Sequence, residues 1–568
     1  MKLRLALLLI ITLGNAFLGP LAVGSQKVGE FHWFEYQGND SVFSPRLPEG
    51  MYQNPILAGF HPDPSICRVG DDYYLVNSSF SYSPGLPIYH SRDLVNWRFV
   101  THALESQRDL NFRRQVTMSR GIFAPTLRFH DGVFYLVSTA IDAGENFLIT
   151  AKDINGPWSD PVWLPELNGG IDPDIFFDGG RVYIAHNGPP PSTPEYEGHR
   201  ALWIWEFDLD RNSIKPESKR LLVDGGVDIS QQPVWIEGPH LYKVGDWYYL
   251  SAAEGGTGDG HSQVVFRAKS LTADFEPYGG NPILTQRDLP ADRPNPINAT
   301  GHADLVETPD GDWWAVFLGV RNYHKVHFST GRETFLLPIQ WRDGWPTILP
   351  PNTPVPSRLP LPLGLSQNQG GAEPTTGNFT WRDNFDSPQL AHHWNFLRTS
   401  VRHDWYQINK GRPGIRLSAL PIRLSDFGQP AFIGRRQQHT NYVAETALSL
   451  PVESGYSVGM AAFQSEGFHF YFAVARVDSG YSVFVEQVKN GVISRLKEVA
   501  LLAAQPGEAS TELRLRVEIQ GAVASFSYQS SDQVITVLDD ADATILSTQL
   551  AGGFVGSYIG LHTRIEGE

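Results

Sequence analysis

Asp63-Pro64-Ser65-Ile66, followed closely by Gly70-Asp71-Asp72-Tyr73-Tyr74-Leu75-Val76, sets a carboxylate before one short apolar strand and a Gly/Asp turn before a second, aromatic strand. The turn and its aromatic strand recur at Asp131-Gly132-Val133-Phe134-Tyr135, Asp178-Gly179-Gly180-Arg181-Val182-Tyr183, Gly245-Asp246-Trp247-Tyr248-Tyr249 and Asp310-Gly311-Asp312-Trp313-Trp314. Counted from positions 71, 131, 178, 245 and 310, successive turns lie 47 to 67 residues apart, close to the period of one propeller blade. Five units predict a five-bladed β-propeller. In such a fold the inner strands run along a central channel, so equivalent strand starts converge at one end of it.

Those starts are Asp63-Pro64, Ala124-Pro125, Asp172-Pro173, Glu237-Gly238-Pro239 and His302-Ala303. A lone Asp before Pro is ordinarily a turn residue. Here three of five equivalent places carry an acid while the other two carry Ala124 and His302, which a purely structural requirement would not produce. Cleavage of a glycosidic bond needs one protonated and one ionised carboxyl flanking the bond, and a third carboxylate nearby drives the two pKa values apart by repulsion. Asp63, Asp172 and Glu237 are therefore the candidate catalytic residues.

The remaining sequence sets the frame. With 568 residues, 54 Gly, 41 Pro and few helix-period stretches, the chain reads as an all-β protein of at least two domains. A formal charge of -16 without a basic run excludes a nucleic acid or an anionic membrane as partner. Residues 1–24 begin with Lys2 and Arg4, continue through an apolar run and end in small residues, as a cleavable signal peptide does; the protein is expected to be secreted or periplasmic. Residues 25–343 are assigned to the propeller, 344–377 to a proline-rich linker packed along a surface, and 378–568 to a β-sandwich of jelly-roll-like type. Cys67, the sole cysteine, follows Ile66 in an apolar strand and reads as a buried, inert thiol.

The stretches Asn54-Pro55-Ile56-Leu57-Ala58-Gly59-Phe60-His61-Pro62-Asp63-Pro64, Tyr89-His90-Ser91-Arg92-Asp93-Leu94, Glu237-Gly238-Pro239-His240, Ala253-Glu254-Gly255-Gly256-Thr257 and Gly331-Arg332-Glu333-Thr334 resemble glycoside hydrolase family 43. The resemblance runs from about Asn54 to Trp341 and points to the branch of β-xylosidases and α-L-arabinofuranosidases with a C-terminal β-sandwich. It implies an inverting exo-glycosidase acting on xylo-oligosaccharides or arabinoxylan, with Asp63 as general base, Glu237 as general acid and Asp172 tuning and orienting the acid. It also implies that Arg332 and Phe80 line the sugar pocket. His302 is implied at the pocket floor, where in some relatives it contacts a divalent ion such as calcium through the channel; the chemistry itself requires no cofactor.

Phe123 stands where relatives commonly carry Trp, which alters the expected pocket wall. Asp174 competes with Asp172 for the tuning role, because residues i and i+2 of an extended strand face the same side; the motif favours Asp172. Two other readings stay open. One is a propeller kept as a non-catalytic sugar-binding protein. The other is a retaining fructosidase-type enzyme, against which the chain lacks that group's Asn-Asp-Pro-Asn-Gly and Glu-Cys motifs.

Overall fold

The computed structural model describes residues 27–568 except 105–115, 144, 366–372, 399–403, 410, 502–511, 531–532 and 568. The expected signal peptide, 1–24, lies outside the described residues. What is described is almost entirely strand and turn.

Five antiparallel sheets follow one another along the chain. Their first strands are Ser65–Val69, Thr126–His130, Ile171–Asp178, Glu237–Val244 and Ile297–Glu307, each continued by the aromatic strand after its Gly/Asp turn. These five first strands touch in order, and the fifth touches the first, so the set closes on itself. Each neighbouring pair of sheets shares one apolar cluster. Leu75, Ile66, Val316 and Trp314 join the first and last sheets, for example, and Leu250, Phe266, Ile204 and Leu202 join the fourth and third. Burial between sheets, on the order of 25 cal/mol per Å², is what holds the ring. Cys67 is buried in the cluster between the first two sheets, and burial pushes its thiol up to about 12, as an inert core residue requires.

A buried polar network ties the ring at its centre. Arg128 of the second sheet donates to Asp304 of the fifth at 2.8 Å and to Asp174 of the third at 2.9 Å. Ser65 of the first sheet and Tyr242 of the fourth donate to Asp304 at 2.7 and 2.6 Å. All five sheets thus contribute to one network. Burial disfavours the Asp304 carboxylate, but Arg128 and its other donors hold it well below the usual range.

The C-terminal domain is a sandwich of an eight-stranded and a six-stranded sheet around its own aromatic core. Two boundaries differ from the sequence reading. Val28–Gly38, assigned to the propeller by position, pairs with Asn441–Ser449 and Ile415–Ser418 in the eight-stranded sheet. Phe31, Phe34 and Tyr36 are buried there. Position misled because the partners are hundreds of residues away. The segment assigned as a linker is in part a core element: Trp345, Ile348, Leu349 and Val355 are buried in the cluster between the fourth and fifth sheets, and Arg358–Pro360 pairs with Met51–Gln53, while 366–372 is outside the described residues.

The two domains share an apolar interface in which Phe60, Phe80, Tyr82 and Met118 pack against Phe432, Phe463 and Tyr558. Tyr82 and Tyr558 stack at 3.8 Å. At Gly331 a Cβ would come within 2.7 Å of the Gly556 backbone, so a bare backbone there lets the sandwich approach the loop that carries Arg332.

Candidate active site

The inner strands do not begin as regular strands. Asp63, Asp172 and His302 have φ of 50°, 55° and 53°, and the register of the pairing shifts between Ile171 and Asp174, Glu237 and His240, and Gly301 and Asp304. A left-handed residue within a bulge re-aims a side chain and breaks the two-residue alternation. This separates the two rivals of the third sheet. Asp172 lines a cavity of about 480 Å³, whereas Asp174 is fully buried in the Arg128 network and accepts from the Leu241 N–H at 3.0 Å.

The same cavity is lined by Asp63, Glu237, Phe80, Phe123, Arg332 and His302. All seven residues singled out in the sequence therefore meet in one place. Asp63 accepts from Arg332 Nη1 at 2.6 Å through one oxygen and from the Ser78 hydroxyl at 2.6 Å through the other. Asp172 accepts from the Gly238 N–H at 3.1 Å. Gly238 has φ 56°, and a Cβ on it would stand 2.9 Å from the His302 ring, so glycine is required beside Glu237.

The three acids have unlike surroundings. Burial and then the Asp63 carboxylate push Glu237 up to about 7, against the opposing pull of Arg332 and Arg200. Asp172 is pushed well above the carboxylate range by burial and by the charges of Glu237 and Asp63. Asp63 alone among them has an arginine hydrogen-bonded to it. The cluster can thus hold protons at neutral pH on one side and an Arg-paired carboxylate on the other, which is the division that acid–base cleavage of an acetal uses.

His302 is buried, and burial lowers it to about 4, so its ring is neutral at neutral pH. Among the described residues, the group of three or more His, Cys, Asp or Glu with ligand atoms close enough to hold a metal lies elsewhere and does not include His302.

Three further lining residues escaped the sequence. Phe554 comes from the sandwich, 6.1 Å from the Phe80 ring, and its carbonyl accepts from Arg332 at 3.4 Å. Nothing in the repeats could announce it, because it belongs to another domain. Arg200 is held by Asn187 and the Gly169 carbonyl at 2.6 Å each, and lies 4.9 Å over the ring of Trp235. Trp235 has φ 50° and remains partly exposed at the cavity. Its position two residues before Glu237 was the available signal.

The chain is similar to known proteins along most of its length. The family model described as glycosyl hydrolases family 43 matches residues 52–346, and the one described as beta xylosidase C-terminal concanavalin A-like domain matches 382–566. A xylosidase/arabinosidase of Butyrivibrio fibrisolvens is 35% identical over 91% of this chain and 96% of its own length. A non-reducing end alpha-L-arabinofuranosidase of Bacteroides ovatus is 33% identical over 92% of this chain and 93% of its own. Among solved structures, a family 43 protein retrieved from a capybara gut metagenome superposes with a TM-score of 0.87 at 35% identity, covering 94% of this chain and 99% of that one. By sequence and by fold, the chain belongs to family 43 of the glycosyl hydrolases.

Proposed function

We propose that the protein is an exported, inverting exo-glycosidase that removes xylose or arabinose from the non-reducing ends of xylo-oligosaccharides or arabinoxylan. The observation that carries the reading is the division of labour among the three acids: Asp63 paired with Arg332, and Glu237 raised to about 7 beside Asp172. In this scheme Asp63 accepts a proton from water as the water attacks the anomeric carbon. Glu237 donates its proton to the leaving oxygen, and the bond breaks in the same displacement. Asp172, itself raised by burial and by the charges of Glu237 and Asp63, accepts from the Gly238 N–H and so fixes the strand start that carries Glu237.

The sugar ring would be held by Phe80, Phe123, Arg332 and Phe554, with Trp235 offering an aromatic face to the leaving group. The five closed sheets are read as propeller blades on the strength of their order and their pairwise clusters. The substrate class rests on the names of the relatives, and export on the charged, apolar and small-residue succession of residues 1–24. A calcium ion in the channel would take six to eight oxygens; the chain offers it the His302 imidazole, so water would complete its shell.

The test is proton NMR of the first products from an aryl β-xyloside and an aryl α-arabinofuranoside. An inverted anomer is expected. A retained anomer would exclude the single displacement and favour the fructosidase-type reading, and inertness on both substrates would leave the sugar-binding reading.

A further inference from the structure

A second cavity, of about 230 Å³, lies away from the carboxylate site, between the first sheet and the sandwich. Its walls include Tyr89 and Phe99 on one side and Glu373, His392 and His393 on the other. His392 Nε2 stands 3.4 Å and His393 Nε2 3.2 Å from the same atom, Glu373 Oε2. Neither approach is a hydrogen bond: that oxygen is buried and has no hydrogen-bond partner, and His393 Nδ1 is also buried and unpartnered.

These distances have a specific meaning. Ligand atoms about 2.0–2.1 Å from a tetrahedral zinc stand about 3.3–3.4 Å from one another. The two separations, 3.4 and 3.2 Å, are close to the edges of such a tetrahedron, and the three ligand atoms all lie within 4.8 Å of one another. We propose that Glu373, His392 and His393 form a binding site for a zinc-class transition-metal ion, with its fourth position open to the cavity.

The surroundings narrow the choice of ion. Arg435 and Arg436 line the same cavity and raise the electrostatic cost of any cation. Calcium and magnesium bind hard oxygen donors largely through charge, so they are disfavoured; zinc, nickel and copper gain from imidazole nitrogen. The guanidinium groups in turn favour an anionic fourth ligand such as hydroxide or chloride. The rings are held in place, His392 flat on Phe99 at 4.3 Å and His393 against Trp381 at 4.8 Å. Glu373 sits where the proline-rich segment enters the sandwich, so the ion would clasp that segment to the domain bearing the histidines.

The full-length protein, stripped with chelator and dialysed, is titrated with zinc chloride by calorimetry, with metal content measured by mass spectrometry and cobalt(II) used as a spectroscopic probe. One ion per chain is expected, with the intense visible bands of tetrahedral cobalt and an unfolding temperature that rises with zinc. His393→Ala and Glu373→Gln should each weaken binding at least tenfold while glycoside hydrolysis persists, which shows that the variants fold. Absence of stoichiometric binding, a weak octahedral cobalt spectrum, or equal zinc affinity in wild type and these variants would overturn the proposal. Should His393→Ala fail to fold, His392→Gln gives the same discrimination.

Discussion

Asp63 and Asp172 at the cavity, and Asp174 and Asp304 two residues further along the inner strands than Asp172 and His302, are buried to similar degrees in opposite surroundings. The second pair shares the Arg128 guanidinium and receives hydroxyl and backbone donors from neighbouring sheets. The first layer is under-compensated: Arg332 serves Asp63, while Asp172 and Glu237 are left close enough to repel. A buried charge costs several kcal/mol unless it is paired. One layer therefore stabilises the ring, and the other stores the pKa differences that chemistry needs, on the same strands.

That contrast can be broken by substitution. Asp63→Ala and Glu237→Ala should each lower kcat/KM on an aryl β-xyloside by about 10²–10⁴-fold, the span of general acid–base catalysis, with circular dichroism unchanged. Arg128→Met should do the reverse. It leaves two carboxylates buried without a counter-charge, so about 3–5 kcal/mol of stability should be lost in urea unfolding, and any fall in activity should follow the loss of folded protein.

The pH dependence sharpens the distinction further. With Glu237 raised from 4.5 to about 7, kcat/KM should decline as pH rises through about 7, because the acid loses its proton. The same raised value means that its contribution to stability is full below about 4.5 and fades as pH passes about 7. Glu237→Gln should therefore unfold at a higher temperature than wild type at pH 8, and a lower one would contradict the repulsion described above. The smallest effect is expected at the domain boundary. Phe554→Ala removes one aromatic contact, on the order of 1 kcal/mol, and should raise KM about threefold to tenfold with kcat little changed.

How much of this was legible follows from what each feature depends on. The five turns and their aromatic strands are local and repeat, so the sheets, their order and the converging acids could be read from sequence. The choice between Asp172 and Asp174 could not be made by strand parity, because the bulge that decides it is a matter of backbone dihedrals. Arg332 was reached through its motif, but its bond to Asp63 joins the first sheet to the loop before Thr334 and has no sequence signal. Phe554 and the Glu373, His392 and His393 group depend on how two domains meet. Val28–Gly38 was misplaced for the same reason, since its partners are remote.

That first strand has a consequence for how the chain is made. Gly38 pairs with Tyr442, 404 positions later (442 minus 38), and the five sheets lie between them. During vectorial synthesis at roughly 5–20 residues per second, the strand waits about 20–80 s for its neighbour to emerge. The ring can assemble from contacts within its own span in that interval, whereas the sandwich closes only after nearly all the polypeptide exists. In topological terms the ring is an insertion within the sandwich. Cutting the chain after the linker would leave, beside the ring, an orphaned strand whose aromatic side chains have no sheet to enter.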